Sequence, residues 1–206
     1  YLNGAVNSIV YGNYIGTDAT GTLDPDGTGY AAGRSGIYID GASTGNQIGN
    51  TIAGARNVIS ANNWQGVDII SSAATNNTIA GNYIGTTLTG LAALPNMDGV
   101  GYWGAGTGNS TLANVISGNA DEGISIGNAS TGAILQGNYV GLGMDGSTVV
   151  ANGGTGIVIY GGTTNTLIGT DVDGSNDTAE RNVISANAAG IIVSDAGTTG
   201  TVIAGN

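Results

Sequence analysis

The chain has 206 residues and a net charge of −11, with 14 acids against three Arg, 40 Gly, and no Cys, His, Phe or Lys. This composition excludes a disulfide framework, a thiolate metal site and lysine Schiff-base chemistry. It argues against nucleic acid and anionic membrane surfaces, which need a basic face, and no apolar run reaches the roughly 18 residues of a membrane helix.

The first element is Gly12-Asn13-Tyr14-Ile15-Gly16, and near-copies follow at Gly81–Gly85 and Gly137–Gly141. A sister phrase alternates with it: Asn57-Val58-Ile59-Ser60, Asn114-Val115-Ile116-Ser117 and Asn182-Val183-Ile184-Ser185. Aligned on the Asn, the second residue alternates Tyr and Val, and the fourth alternates Gly and Ser. We take this phrase as strand b. Each copy is followed by a Gly and an apolar triplet, for example Gly36-Ile37-Tyr38-Ile39 and Gly123-Ile124-Ser125-Ile126, which we take as strand c. Single apolar markers before each b phrase, namely Val10, Ile48, Ile79, Leu112, Leu135, Ile168 and Ile203, define strand a. Residues one and three of a triplet share a face, because side chains alternate along a strand.

Three short strands per repeat cannot bury a face alone, but stacked coil on coil they can. The expected fold is all-β: a parallel β-helix of about six coils with three short strands each, repeating as coil pairs, with strand ladders about 4.8 Å apart. Ile15, Ile59, Ile84, Ile116, Val140 and Ile184 form one inward column, each contributing about 1.5–3 kcal/mol. The b-to-c connection is long in Tyr coils and short in Val coils, so one edge carries a long loop every second coil. Residues 1–206 read as one domain, a segment of a longer array or one unit of an end-to-end polymer, because neither end shows a polar cap. Residues 1–12 read as an irregular start, since Tyr1 to Tyr14 is too short for a coil.

Gly12 to Thr22 reads GNYIGTDATGT and Asn114 to Asn119 reads NVISGN. These phrases resemble the repeats of secreted bacterial right-handed parallel β-helix proteins with the pectate-lyase-like superfamily fold. The resemblance spans nearly the whole chain. It implies the right-handed coil and an extracellular or cell-surface location, and says little about activity.

Candidate sites follow from residue type and position. Asn13, Asn57, Asn82, Asn114, Asn138 and Asn182 are expected as a structural ladder, since Asn tolerates corner backbone and its amides can bond along the rod. Tyr14, Tyr83 and Tyr139, at roughly 9.6 Å intervals, with Trp64 and Trp103, are candidate carbohydrate or partner contacts; the competing expectation is rings lying flat over neighbouring coils. Asp171, Asp173, Asp177 and Glu180 place oxygen ligands in an insertion between strands a and b, as calcium needs, although the spacing departs from an EF-hand loop. Asp24-Pro25-Asp26-Gly27 reads first as a turn. The Asp pairs, His and Arg-Ile-Lys motifs of pectin hydrolases are absent, and Arg56 and Arg181 recur at equivalent repeat positions, as structural residues do.

The expected function is a non-enzymatic extracellular β-solenoid, a stalk segment or self-associating surface filament or adhesin subunit. Its partner would be a further copy, or further coils of the same array. The alternative is a β-helix that binds or cleaves polysaccharide, which requires two acids to converge in a groove; Asp18, Asp98 and Asp145 dispersed in solvent would count against cleavage. No cofactor is expected beyond calcium.

Overall fold

Strand c, the longest of the three, builds the most continuous sheet. The computed structural model describes residues 1–25 and 35–206; Asp26 and Gly27 of the first acidic turn, and part of the first long loop, lie outside the described residues. Sheet c orders its strands Leu2–Asn3, Ile37–Asp40, Val67–Ile70, Val100–Trp103, Ile124–Gly127, Thr155–Ile159 and Ala189–Val193. Sheet a has seven strands, from Ile9–Val10 to Val202–Ala204, and sheet b has six, from Tyr14–Ile15 to Val183–Ile184. Every strand pair within these sheets is parallel. The chain is therefore a parallel β-helix, with six c–a–b coils followed by one further c and a strand. Among the described residues, no helix is long and apolar enough to cross a membrane.

The inward columns form a single apolar core. In sheet b, Ile59, Ile84, Ile116 and Val140 stack in register and are buried. β-branched side chains dominate because their restricted rotamers suit a pleated, fully buried surface.

Two expectations change. Residues 1–12 are not an irregular start: Leu2 pairs with Ile39 in sheet c, and Ile9–Val10 pairs with Gln47–Ile48 in sheet a. The distance from Tyr1 to Tyr14 is short because Tyr1 belongs to the c edge rather than to a b phrase. In the fourth coil the inward residue of strand a is Thr111, not Leu112, since Thr111 registers with Ile79 and Leu135. The cause lies across the core. Tyr102 fills a position held by Ile in the neighbouring coils, and its hydroxyl, fully buried, lies 2.6 Å from Thr111 Oγ1. A buried hydroxyl needs such a partner. Burial also pushes the Tyr102 phenol well above its ordinary value.

The Gly/Ser alternation closing strand b has a local reason. Gly85 takes φ +87°, and a Cβ there would sit 2.5 Å from Ser117 O and 2.2 Å from Asn119 Oδ1. The Ser of the preceding coil instead reaches toward this Gly with hydrogen bonds: Ser60 Oγ accepts from Gly85 N at 3.1 Å and donates to Thr86 O at 2.7 Å. Ser117 repeats both bonds with Gly141 N and Leu142 O.

Candidate functional site

Three asparagine ladders line the corners. At the a-to-b corner, Asn13, Asn57, Asn82, Asn114, Asn138 and Asn182 each donate both backbone N–H and Nδ2 to Oδ1 of the next Asn, at 2.8–3.2 Å. The last acceptor is Asn206. From Asn57 onward, Nδ2 also donates to a strand-a carbonyl of the preceding coil, such as Ile79 O for Asn114 at 2.9 Å. Each amide thus ties its coil to the one before and the one after. Sequence reasoning missed two further ladders. Asn46, Asn77 and Asn109 run along the c-to-a corner. Asn62, Asn96, Asn119, Asn152 and Asn187 run along the b-to-c corner.

The tyrosine series is not one exposed row. Tyr14 is 43% exposed but Tyr83 only 3%. The Arg56 guanidinium lies 4.1 Å from the Tyr83 ring centroid, and Gly90 of the long loop closes on the ring. Tyr83 therefore offers no face to a sugar, because loop and arginine already cover it. Tyr139 is half-buried, with Gly146 at the matching place in its own loop. The long loops also touch one another across the intervening coil: Leu88 N donates to Gly21 O at 2.7 Å, and Met144 N to Gly90 O at 3.0 Å. Asp145 is exposed and Asp18 half-buried, and each ties its own loop. Asp18 accepts from Thr20, Thr22 and Leu23, which brings its carboxyl down to about 2. Asp145 accepts from Ser147 and Thr148 and is also lowered.

The acidic insertion brings together Asp171, Asp173 and Asp177, with one oxygen each within 4.8 Å of the others. Glu180 turns elsewhere, accepting from Asp171 N at 3.3 Å. Thr170 Oγ1, Asp173 N and Ser175 N donate to Asp177, Asp171 and Asp173.

The convergent chemistry lies instead on the outer face of sheet c. Asp68 is 1% exposed; it accepts from Trp103 Nε1 at 2.9 Å and from Ser35 Oγ. Burial pushes its carboxyl up to about 6 against those bonds. At the b-to-c corner that leads into this face, Asp98, Asp121 and Glu122 present oxygens within 4.8 Å of one another. Asp98 Oδ2 accepts from Gln65 Nε2 at 3.1 Å and Oδ1 from Glu122 N at 3.2 Å. Desolvation, with the neighbouring Asp98 and Asp121 charges, raises Glu122 to about 7; desolvation raises Asp98 as well. Gln65, Asp98 and Glu122 each directly precede the Gly of a c motif, so coil stacking alone brings them together. Trp103 and Tyr160 pack edge to face at 6.2 Å on this face, and Tyr1 stacks on Tyr38 at 5.3 Å. Trp64, 48% exposed, directly precedes Gln65. Such a cluster can retain a proton at neutral pH or bind a hard cation. Its oxygens lie closer than the about 5–9.5 Å that separates carboxyls flanking a scissile glycosidic bond.

No protein-family model and no curated protein sequence matches the chain. Among solved structures, the chain is similar to the crystal structure of the periplasmic alginate epimerase AlgG, with 19% identity and a TM-score of 0.47. That alignment covers 80% of this chain and 41% of the other, so the chain spans well under half of that protein's length. Similarity at this level carries none of that enzyme's chemistry to these residues.

Proposed function

We propose that the chain is a stiff structural β-solenoid of an extracellular surface, a stalk segment or filament subunit. The observation behind this reading is the a-to-b asparagine ladder, which runs without a missing rung from Asn13 to Asn206. Each rung adds side-chain hydrogen bonds between coils, buried in the middle of the ladder, a repeated linkage suited to bearing load along an axis. A further coil, from the same array or another copy, would add strands to the same three sheets by β-augmentation. The extracellular location rests on the repeat resemblance. Electron microscopy of the purified chain tests the filament version: continuous thin fibres support it, and discrete short rods at all concentrations oppose it.

A second reading is polysaccharide binding on the outer face of sheet c. It is favoured by the Trp103–Tyr160 and Tyr1–Tyr38 ring pairs on that sheet. A glycan array on the native chain and on Trp103→Ala tests it; binding that survives the substitution moves the site elsewhere.

A further inference from the structure

The insertion at residues 171–180 is where the sequence pattern leads one to expect calcium, but the b-to-c corner is better built for it. We infer that the b-to-c corner formed by Gln65, Asp98, Asp121 and Glu122 binds a divalent hard cation, with calcium the best fit, and that the ion clips three successive coils together. The inference stands whichever job the rod performs.

Geometry comes first. Two oxygens held by one calcium at about 2.4 Å can be at most about 4.8 Å apart. The oxygens of Asp98, Asp121 and Glu122 meet that limit pairwise, each lying within 4.8 Å of the others. The backbone fixes them there: Gly66 N donates to Asp98 O at 2.9 Å, Gly99 N to Glu122 O at 3.0 Å and Asp121 N to Met97 O at 2.9 Å. Gln65 comes from the second coil, Asp98 from the third, and Asp121 and Glu122 from the fourth.

The independent observation is Gln65. Its side chain is 3% exposed, its Nε2 bonds Asp98, and its Oε1 is buried with no hydrogen-bond partner. A buried amide oxygen left unmatched is unfavourable, because it has given up its hydrogen bonds to water. It sits on the same amide that touches the carboxylate cluster, so it is a ready neutral oxygen ligand. An all-oxygen set of three carboxylates and one amide carbonyl is the chemistry calcium takes, with water completing six to eight ligands. Asp121 is exposed and gives ion and water a path in. Of the described arginines, Arg56 covers Tyr83 and Arg181 lies beside Gly205, so neither neutralises the cluster. The insertion at residues 171–177 lacks any comparable buried, unmatched ligand; its carboxylates bond their own loop.

The test is calorimetric titration of the 206-residue chain with calcium chloride, paired with thermal melts with and without the salt. The expected result is one calcium-dependent site that raises Tm. Asp98→Asn and Glu122→Gln should each weaken binding at least a hundredfold, and Gln65→Met about tenfold, while Asp173→Asn leaves binding unchanged. If Asp98→Asn does not fold, Glu122→Gln decides, because Glu122 is only half-buried. The inference is overturned if the native chain shows neither heat nor a Tm shift with calcium. It is equally overturned if Glu122→Gln binds as well as the native chain, or if Asp173→Asn alone abolishes binding. Unchanged affinity in Gln65→Met removes the amide ligand on which the assignment depends.

Discussion

Trp103 donates its indole N–H to Asp68 across two adjacent coils, at 2.9 Å, over a glycine that leaves room for the ring. Gly101 pairs with Asp68, and a Cβ at Gly101 would lie 2.5 Å from Trp103 Nε1. The indole roofs the carboxylate and keeps it from water. Asp98 and Tyr38 are the titratable neighbours coupled to it, and desolvation outweighs the bonds from Ser35 and Trp103.

The sign of the resulting pH dependence follows. Asp68 titrates near 6 when folded and near 3.9 when unfolded, so the folded chain holds the extra proton between those values. Its contribution to stability is intact below about pH 4 and is lost as pH rises through about 6, an effect of about 3 kcal/mol. Asp68→Asn keeps the shape and the bond from Trp103 without the charge, with Nδ2 donating to Ser35 Oγ in place of accepting from it. Urea midpoints from pH 3.5 to 8 should show the variant equal to the native chain at the acid end and more stable above pH 6. Parallel curves would mean that Asp68 is not desolvated.

The asparagine ladder predicts a positional gradient. Asn114 receives two donors from Asn82 and donates to Ile79 O and Asn138, all buried. Asn114→Ala strands several of these groups at about 1–3 kcal/mol each, so a loss of about 3–5 kcal/mol is expected. Asn13 is exposed and serves as donor only at the first rung. Asn13→Ala should cost under about 1 kcal/mol. Equal losses at the two positions, measured by chemical denaturation, would show that the amides do not act as inter-coil clamps.

The coil was legible because an Ile or Val must recur wherever a strand faces the core, and that period survives loops of any length. The first ladder was legible because its Asn is one residue from strand b. The third ladder was harder to see. Asn62, Asn119 and Asn187 follow the b-strand Asn by five positions, but Asn96 and Asn152 follow by fourteen, displaced by the long loops. The carboxylate cluster was missed for another reason. Gln65, Asp98 and Glu122 occupy one aligned column directly before the c-strand Gly, but differ in residue type, so no repeated letter marks them. Thr111 was missed because polar threonine stands where an apolar marker was sought; only the hydroxyl of Tyr102 across the core explains it.

Arg56 does two things with one side chain: it covers the Tyr83 ring and donates Nε to Gly81 O at 3.2 Å. An exposed cation over an aromatic face contributes about 0.5–1 kcal/mol. Arg56→Lys keeps the charge but loses the planar stack and the Nε bond, so most of that stabilisation should go. Tyr83→Phe should be close to neutral. Thermal melts of both variants check this, and Tyr83 fluorescence should become accessible to acrylamide only in an Arg56→Ala chain.

Tyr102 and Thr111 allow the sharpest separation of a polar from an apolar contribution. Thr111→Val preserves volume but leaves the Tyr102 hydroxyl buried without its partner at 2.6 Å, which should cost about 1–3 kcal/mol. Tyr102→Phe should be milder, because the Thr111 hydroxyl that it orphans can turn toward a backbone carbonyl of its own strand. The double variant removes both polar groups from a core that is otherwise Ile, Val, Leu and Ala, and should approach native stability. A double-mutant cycle read by urea denaturation should therefore give a coupling of about 1 kcal/mol or more. Additive losses would show the two hydroxyls to be independent and would leave the threonine at the inward position of strand a in the fourth coil without this cause.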